Sequence, residues 1–97
     1  MKLVFSRRAA QDLEQIAAYI RQENPAAAQR VRATILGSLS ILAEFPKLGR
    51  LQSTPGVRKY VARKYPYLVY YRIDEMREEI VVLTIQHPAR EHHFSDS

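Results

Sequence analysis

The 97-residue sequence contains no cysteine and no tryptophan, and only three of its residues are glycine. Without cysteine there can be no disulfide bonds, so a small disulfide-held secreted scaffold is excluded and a reducing cytoplasm is expected. No apolar run approaches the roughly 18 residues of a membrane-spanning helix. The first residues lack the apolar region of a signal peptide. We therefore expect a cytoplasmic protein without a membrane partner, folded as one domain over residues 1–97.

Acidic residues are absent from one long segment, residues 45–73. That segment holds seven of the fifteen cations and five of the six tyrosines. The cations are Lys47, Arg50, Arg58, Lys59, Arg63, Lys64 and Arg72, and the tyrosines are Tyr60, Tyr65, Tyr67, Tyr70 and Tyr71. The net charge of +5 is therefore local rather than spread over the chain. Such a segment favours an acidic partner, either nucleic acid or an acidic protein segment.

The hydrophobic pattern predicts an α+β fold: an N-terminal strand, an antiparallel helical hairpin and a three-stranded antiparallel meander. "KLVF" is typical of a short strand, and Ser6 is placed to cap a helix over about residues 7–22. Asn24 and Pro25 are typical of the start of a second helix, which ends near Phe45. "FPKLGR" is predicted to be a loop. "VRKYVA", "YLVYYRI" and "EIVVLTIQ" are predicted strands, the first near a sheet edge and the last inside the sheet.

The tyrosines divide between the two faces of the predicted middle strand. Alternation places Tyr65, Tyr67, Val69, Tyr71 and Ile73 on one face, and Leu68, Tyr70 and Arg72 on the other. We expect Leu68 and Tyr70 to face the helices, which would leave Tyr67 and Tyr71 on the open face. There, arginine and tyrosine would form one surface for a partner, since guanidinium groups bind anions and aromatic rings provide broad contact area. The alternative is that the tyrosines are half-buried sheet residues with solvated hydroxyls.

"IQHPARE" follows the last predicted strand and places His87 and Arg90 where a strand ends, a common position for functional groups. The alternative for His87 is a histidine that is packed or capped locally. His92 and His93 are adjacent in the sequence and point in different directions, so no metal site is expected. The sequence contains no P-loop, no G-x-S-x-G and no H-E-x-x-H motif. We therefore expect no cofactor.

Several segments, taken in order, resemble the RelE/ParE superfamily of toxins from type II toxin–antitoxin pairs, and most closely its ParE branch. They are "AAQDLEQIAAYI", "NPAAAQRV", "LAEFPKLGR", "GVRKYVARKYPYLVYYRI" and "IVVLTIQHPAR". The resemblance implies the strand, helical hairpin and meander predicted above. It also implies a cognate antitoxin whose C-terminal segment wraps the toxin, a partner that suits a basic surface.

The resemblance leaves the cellular target open between two mechanisms. RelE-like proteins cut mRNA on the ribosome and carry an arginine just before the "LVY" of the middle strand, where this chain has Tyr67. They carry a second arginine after the last strand, which Arg90 matches, and often a tyrosine in the tail, where this chain has only Phe94. ParE-like proteins poison DNA gyrase through a contact surface and need no catalytic residue.

We therefore predict a gyrase poison whose target- or antitoxin-binding residues are Arg58, Arg63, Tyr67, Tyr71, His87 and Arg90. The alternative is a ribosome-dependent endoribonuclease. In that case His87 would act as base or acid, because histidine can accept or release a proton near neutral pH. Arg58, Arg63 and Arg90 would then hold the phosphate. A third possibility is a toxin relic or a plain nucleic-acid-binding module, which would bind in a salt-sensitive manner.

Overall fold

The computed structural model describes residues 1–62 and 67–87, except for the side chain of Ala28. In chain order the elements are β1 (Lys2–Phe5), α1 (Arg7–Glu23), α2 (Pro25–Glu44), β2 (Arg50–Leu51), β3 (Val57–Val61), β4 (Leu68–Asp74) and β5 (Glu79–Gln86). This order confirms the predicted α+β fold. The strand β2 was not predicted, and its first residue, Arg50, lies at the end of the predicted loop "FPKLGR". None of the helices in these residues is long and apolar enough to span a membrane.

Both helix starts are fixed by the predicted capping residues. The Ser6 hydroxyl accepts a hydrogen bond from the Ala9 amide at 3.0 Å, which satisfies a donor that the first turn leaves unpaired. Asn24 lies between the helices and caps both. Its amide donates to the Ile20 carbonyl at 2.7 Å, and its side-chain oxygen accepts from the Ala27 amide at 3.1 Å. A one-residue connection of this kind directs α2 back along α1.

The five strands form one sheet in the order β1-β5-β4-β3-β2. Strand β1 is parallel to β5, and the other pairs are antiparallel. Strand β5 is therefore internal, as predicted. Strand β3 lies next to the two-residue edge strand β2, which confirms its predicted place near an edge.

The start of α1 protects the edge of β5 beyond the end of β1. The Ser6 amide and hydroxyl donate to the carbonyls of Val82 and Leu83 at 2.9 and 2.8 Å. Further along, the Asp12 carboxylate accepts from the Thr84 hydroxyl at 2.5 Å and from the Ile85 amide at 3.0 Å. The Ser6 amide and the side chains of Ser6 and Asp12 thus supply hydrogen bonds that a neighbouring strand would otherwise make.

The main core lies between the helices and one face of the sheet. The sheet contributes Val69, Tyr71, Ile80, Val82 and Ile85, and the helices contribute Ala9, Leu13, Val31, Ile35, Leu39 and Leu42. A smaller cluster of Val57, Leu68, Tyr70 and Leu83 lies on the other side, which we call the outer face. The pairing of β4 with β5 shifts between Tyr70 and Tyr71, and Leu83 is the extra residue of this irregularity.

The predicted division of β4 into two faces is correct, but the predicted orientation is wrong. Tyr71 lies in the helix-side core and Tyr67 packs against it, whereas Tyr70 belongs to the outer-face cluster. The physical reason is the charge of Arg72, which lies on the same face as Tyr70 and is exposed. Turning that face towards the helices would have buried a guanidinium group without a paired charge, at a high desolvation cost.

Candidate functional site

Tyr71 is a buried residue whose hydroxyl holds a loop. The side chain is fully buried. Its hydroxyl donates to the Pro46 carbonyl at 2.6 Å and accepts from the Gly49 amide at 2.8 Å. Burial raises the pKa of Tyr71, and the hydrogen bond from Gly49 and the positive charge of Arg58 oppose that rise. The hydroxyl is therefore a structural anchor for the segment between α2 and β2.

Gly49 makes this close approach possible because it has no side chain. A Cβ atom at this position would lie 2.6 Å from the Tyr71 hydroxyl oxygen and 2.9 Å from the Lys59 carbonyl oxygen. Both distances are shorter than a non-bonded carbon–oxygen contact permits. Glycine is thus required here for space.

Arg58 anchors the same segment from β3. It is the register partner of Tyr71, so the two side chains start from neighbouring points on the helix side of the sheet. Its guanidinium donates to the carbonyls of Gly49 at 2.8 Å and Lys47 at 3.3 Å. We call Tyr71, Arg58 and Gly49 together the clamp. The clamp fixes the backbone of residues 46–49 through four hydrogen bonds from two strands.

Tyr67 and His87 form a second pair at the other end of β4. Their rings meet edge to face, with centroids 5.8 Å apart and planes inclined at 76°. Tyr67 is partly buried against the main core, and His87 is exposed just after the end of β5. Four residues along a strand separate Tyr67 from Tyr71, which is roughly 13 Å. This pair is therefore separate from the clamp.

Three of the predicted cations share the outer face. Arg50 pairs in register with Lys59, and Lys59 pairs with Tyr70. Arg72 lies two residues beyond Tyr70 on the same strand, so its side chain points to the same side. The outer face thus carries positive charge beside the cluster formed around Tyr70.

The four predicted site residues that the structure describes do not form one surface. Arg58 and Tyr71 come together in the clamp, and Tyr67 and His87 come together as a ring pair. Arg63 and Arg90 lie outside the described residues. The prediction that Tyr71 contacts a partner is wrong, because its ring is sealed within the core and its hydroxyl is used internally.

A set of exposed apolar side chains lies around the clamped segment and was not predicted as part of the site. Phe45 is 58% exposed, Leu48 is 48% exposed and Leu51 is 62% exposed. The signal was present in the sequence, because the predicted loop "FPKLGR" carries Phe45 and Leu48 and is followed directly by Leu51. Single exposed apolar residues are common on proteins, whereas several in one short loop mark a contact surface.

The described residues offer no arrangement suited to metal binding, since no three histidine, aspartate or glutamate side chains among them converge on one point. The raised pKa of Tyr71 belongs to a buried side chain, so it does not mark an exposed reactive group. The exposed features that remain are the ring pair, the outer-face cations and the apolar loop. Their chemistry suits binding.

Sequence comparison places the chain among bacterial toxins. Residues 3–92 match the family model described as the ParE toxin of the type II toxin–antitoxin system parDE. The chain is 35% identical over 86 residues to "Putative toxin Y4kP" of Sinorhizobium fredii, covering 89% of this chain and 86% of that protein. It is 37% identical over 89 residues to "Toxin RelE2" of Caulobacter vibrioides, covering 92% of this chain and 97% of that protein.

Comparison with solved structures agrees with this assignment. A chain of the chromosomal ParDE toxin–antitoxin system of P. aeruginosa superimposes with a TM-score of 0.79 at 27% identity. The match covers 90% of this chain and 95% of that chain. The family model covers both helices and all of the sheet except the first residue of β1. The chain therefore belongs to the ParE toxin family of type II toxin–antitoxin systems.

Proposed function

We propose that this toxin poisons DNA gyrase by stabilising its cleaved-DNA state, and that a cognate antitoxin neutralises it. The observation that carries the proposal is the match of residues 3–92 to the ParE toxin model. The antitoxin partner is supported by the similarity to a chain from a ParDE toxin–antitoxin system. The excess of positive charge suits an acidic segment of such a partner.

A gyrase poison needs a contact surface and no bond-breaking group of its own. The described candidates for that surface are the Tyr67–His87 ring pair and the outer-face cations Lys59 and Arg72. Arg63 and Arg90 remain predictions for the same role. Arg58 already donates to two loop carbonyls, which favours a positioning role for it over direct contact with a target.

The test is a cleavage assay with purified toxin, gyrase, ATP and supercoiled plasmid. The expected result is linear DNA after detergent and protease treatment, in an amount that rises with toxin concentration. A folded toxin that leaves gyrase activity unchanged and yields no linear product would refute the proposed target.

A second candidate function is ribosome-dependent cleavage of mRNA. The specific observation in its favour is the 37% identity to the protein named Toxin RelE2. In this mechanism exposed His87 would exchange a proton with the RNA, and Arg63 and Arg90 would hold the phosphate. Primer extension on translated mRNA tests it, and cuts at the ribosomal A site are the expected result. Unbroken mRNA in a translating extract would eliminate this candidate.

His87→Gln separates the two candidates in one pair of assays. Glutamine keeps a hydrogen-bonding side chain of similar reach but does not act as a general acid or base near neutral pH. RNA cleavage should fall by about 100-fold or more if the imidazole transfers a proton. Gyrase poisoning should change only a few-fold, because it depends on surface contact. Tyr19→Phe, an exposed substitution on α1, is the matched control in both assays.

A further inference from the structure

Residues 45–51, which we call the display loop, present apolar side chains to solvent from a fixed backbone. Phe45, Leu48 and Leu51 are each about half exposed or more. The Leu48 amide donates to the Phe45 carbonyl at 3.0 Å, so these two residues belong to one turn. Leu51 is the register partner of Arg58, whose guanidinium reaches the carbonyls of the turn. The three side chains therefore arise from one small region.

The backbone of the display loop is held more firmly than a simple connection requires. The clamp uses a buried tyrosine hydroxyl, a guanidinium and a glycine at close contact to fix it. A connection between α2 and a two-residue strand has no need of such an anchor. A fixed loop loses little conformational freedom when a partner binds, so preorganisation strengthens binding. The clamp thus favours a docking role for the side chains that the loop presents.

Charge and hydrogen bonding indicate what kind of partner fits. Lys47 and Arg50 alternate with the apolar residues of the loop, and Glu44 is the last acid before the acid-free segment begins. Within the described residues β2 pairs only with β3, and strand alternation directs the Leu51 amide and carbonyl towards the other edge, where an added strand could pair with them. An extended peptide with apolar anchors and carboxylates would complement all three features.

Two other occupants fit less well. A second copy of this chain would bring another set of cations against Lys47 and Arg50, and like charges repel. Nucleic acid would gain phosphate contacts from those cations and one stacking face from Phe45, but Leu48 and Leu51 offer it none. The aliphatic side chains are better matched by a protein segment.

We propose that the display loop docks an extended acidic segment of the antitoxin, with Phe45, Leu48 and Leu51 as its apolar contacts and Lys47 and Arg50 as its charge contacts. This inference rests on the antitoxin pairing proposed above and not on the identity of the cellular target. Tyr71 and Gly49 are positioning residues in this interaction, since they act through the loop backbone.

The test compares Leu48→Asp and Leu51→Asp with a matched control elsewhere. Met76→Asp places the same charge on a 96% exposed apolar residue in the turn between β4 and β5. The probe is the purified cognate antitoxin, and calorimetry gives the affinity of each variant. We expect each loop variant to bind at least about tenfold more weakly, as for contact residues at an interface. Met76→Asp should stay within about twofold of the parent chain.

Three outcomes would overturn the proposal, with thermal melts first establishing that the variants remain folded. The first is antitoxin affinity for the loop variants as high as for Met76→Asp. The second is a loss of gyrase poisoning with antitoxin affinity retained, which would assign the loop to the target. The third is a changed oligomeric state of the free toxin with antitoxin affinity retained, which would assign the loop to self-association. If the parent toxin binds antitoxin but does not poison gyrase, only the proposed target fails.

Discussion

The buried hydroxyl of Tyr71 gives the first prediction at the scale of single residues. Tyr71→Phe removes two hydrogen bonds and leaves the Pro46 carbonyl and the Gly49 amide without this partner. We expect a loss of roughly 1–3 kcal/mol in the free energy of unfolding, because buried backbone groups without partners are unfavourable. Urea unfolding measures it. Tyr19→Phe should change the value by less than about 0.5 kcal/mol, since Tyr19 is exposed. Equal effects at both positions would contradict the anchoring role.

The same hydroxyl predicts how stability depends on alkaline pH. Burial raises the pKa of Tyr71 in the folded chain above the usual value of 10.0. The folded state therefore holds this proton more strongly than the unfolded state does. Its contribution to stability is fully present below pH 10 and is lost as the pH rises from there through the folded-state pKa. Tyr71→Phe should make this alkaline fall in the unfolding free energy shallower, and an unchanged slope would contradict the assignment.

Gly49 and Gly37 allow a comparison between a glycine required by steric contact and one that only lowers helix propensity. Gly49→Ala inserts a methyl group against the Tyr71 hydroxyl and the Lys59 carbonyl, and should destabilise the fold by about 1–3 kcal/mol. Gly37 lies inside α2, and apart from its chain neighbours and the nearby backbone of its own helix, no described atom lies within 4 Å of an added Cβ. Gly37→Ala should stabilise the fold by up to about 1 kcal/mol through helix propensity. Thermal unfolding of both variants measures these changes. An unchanged stability in Gly49→Ala would show that the clamp can accommodate a methyl group at this position.

At the level of the elements, the end of β5 carries a buried polar side chain. Gln86 is 7% exposed, and among residues 1–62 and 67–87 neither its amide nitrogen nor its amide oxygen finds a hydrogen-bond partner. Gln86→Met keeps the shape and removes both unsatisfied atoms. We expect a gain of roughly 1–3 kcal/mol in the free energy of unfolding, measured in urea. A loss of similar size would mean that the amide is satisfied in solution.

The elements differ in how far the sequence could predict them. The caps at Ser6 and Asn24 were predictable because their hydrogen bonds are local. The strand β2 was not, because two residues carry no periodicity and the pairing depends on distant Arg58 and Lys59. Alternation separated the faces of β4 correctly but did not say which one meets the helices. The charge of Arg72 held that information, since a face with an exposed arginine is the less suitable one to bury.

At the scale of the whole molecule, the basic and tyrosine-rich segment divides between two tasks. Part of it is internal, where Tyr71 and Arg58 fix the display loop. Part of it faces outward, where Arg50 and Arg72 are exposed. Composition predicted the positive charge and the acidic partner but could not assign each side chain to a task. That assignment depends on the register between β3 and β4 and on a loop conformation that no local pattern specifies.

Family membership identifies the chain as a toxin. Which partner it binds depends on the residues that its surface exposes. A shared fold supports different activities when the exposed residues differ. Our proposals for this chain place antitoxin docking at the display loop, and target contact at Lys59, Arg72 and the Tyr67–His87 pair. The two proposals can be tested separately, because exposed Leu48 and Leu51 on one surface and exposed Arg72 and His87 on the other can be changed without altering the clamp or the core.

The clamp joins the display loop to the core. We therefore expect the loop to open only when the whole chain unfolds. Hydrogen exchange across the chain, followed by mass spectrometry or NMR, tests this most directly at the Gly49 amide. We expect this amide to exchange as slowly as the amides of β4 and β5. In Tyr71→Phe, by contrast, its exchange should become much faster while those strands stay protected. Rapid exchange at the Gly49 amide in the parent chain would show that the clamp does not hold the loop to the core.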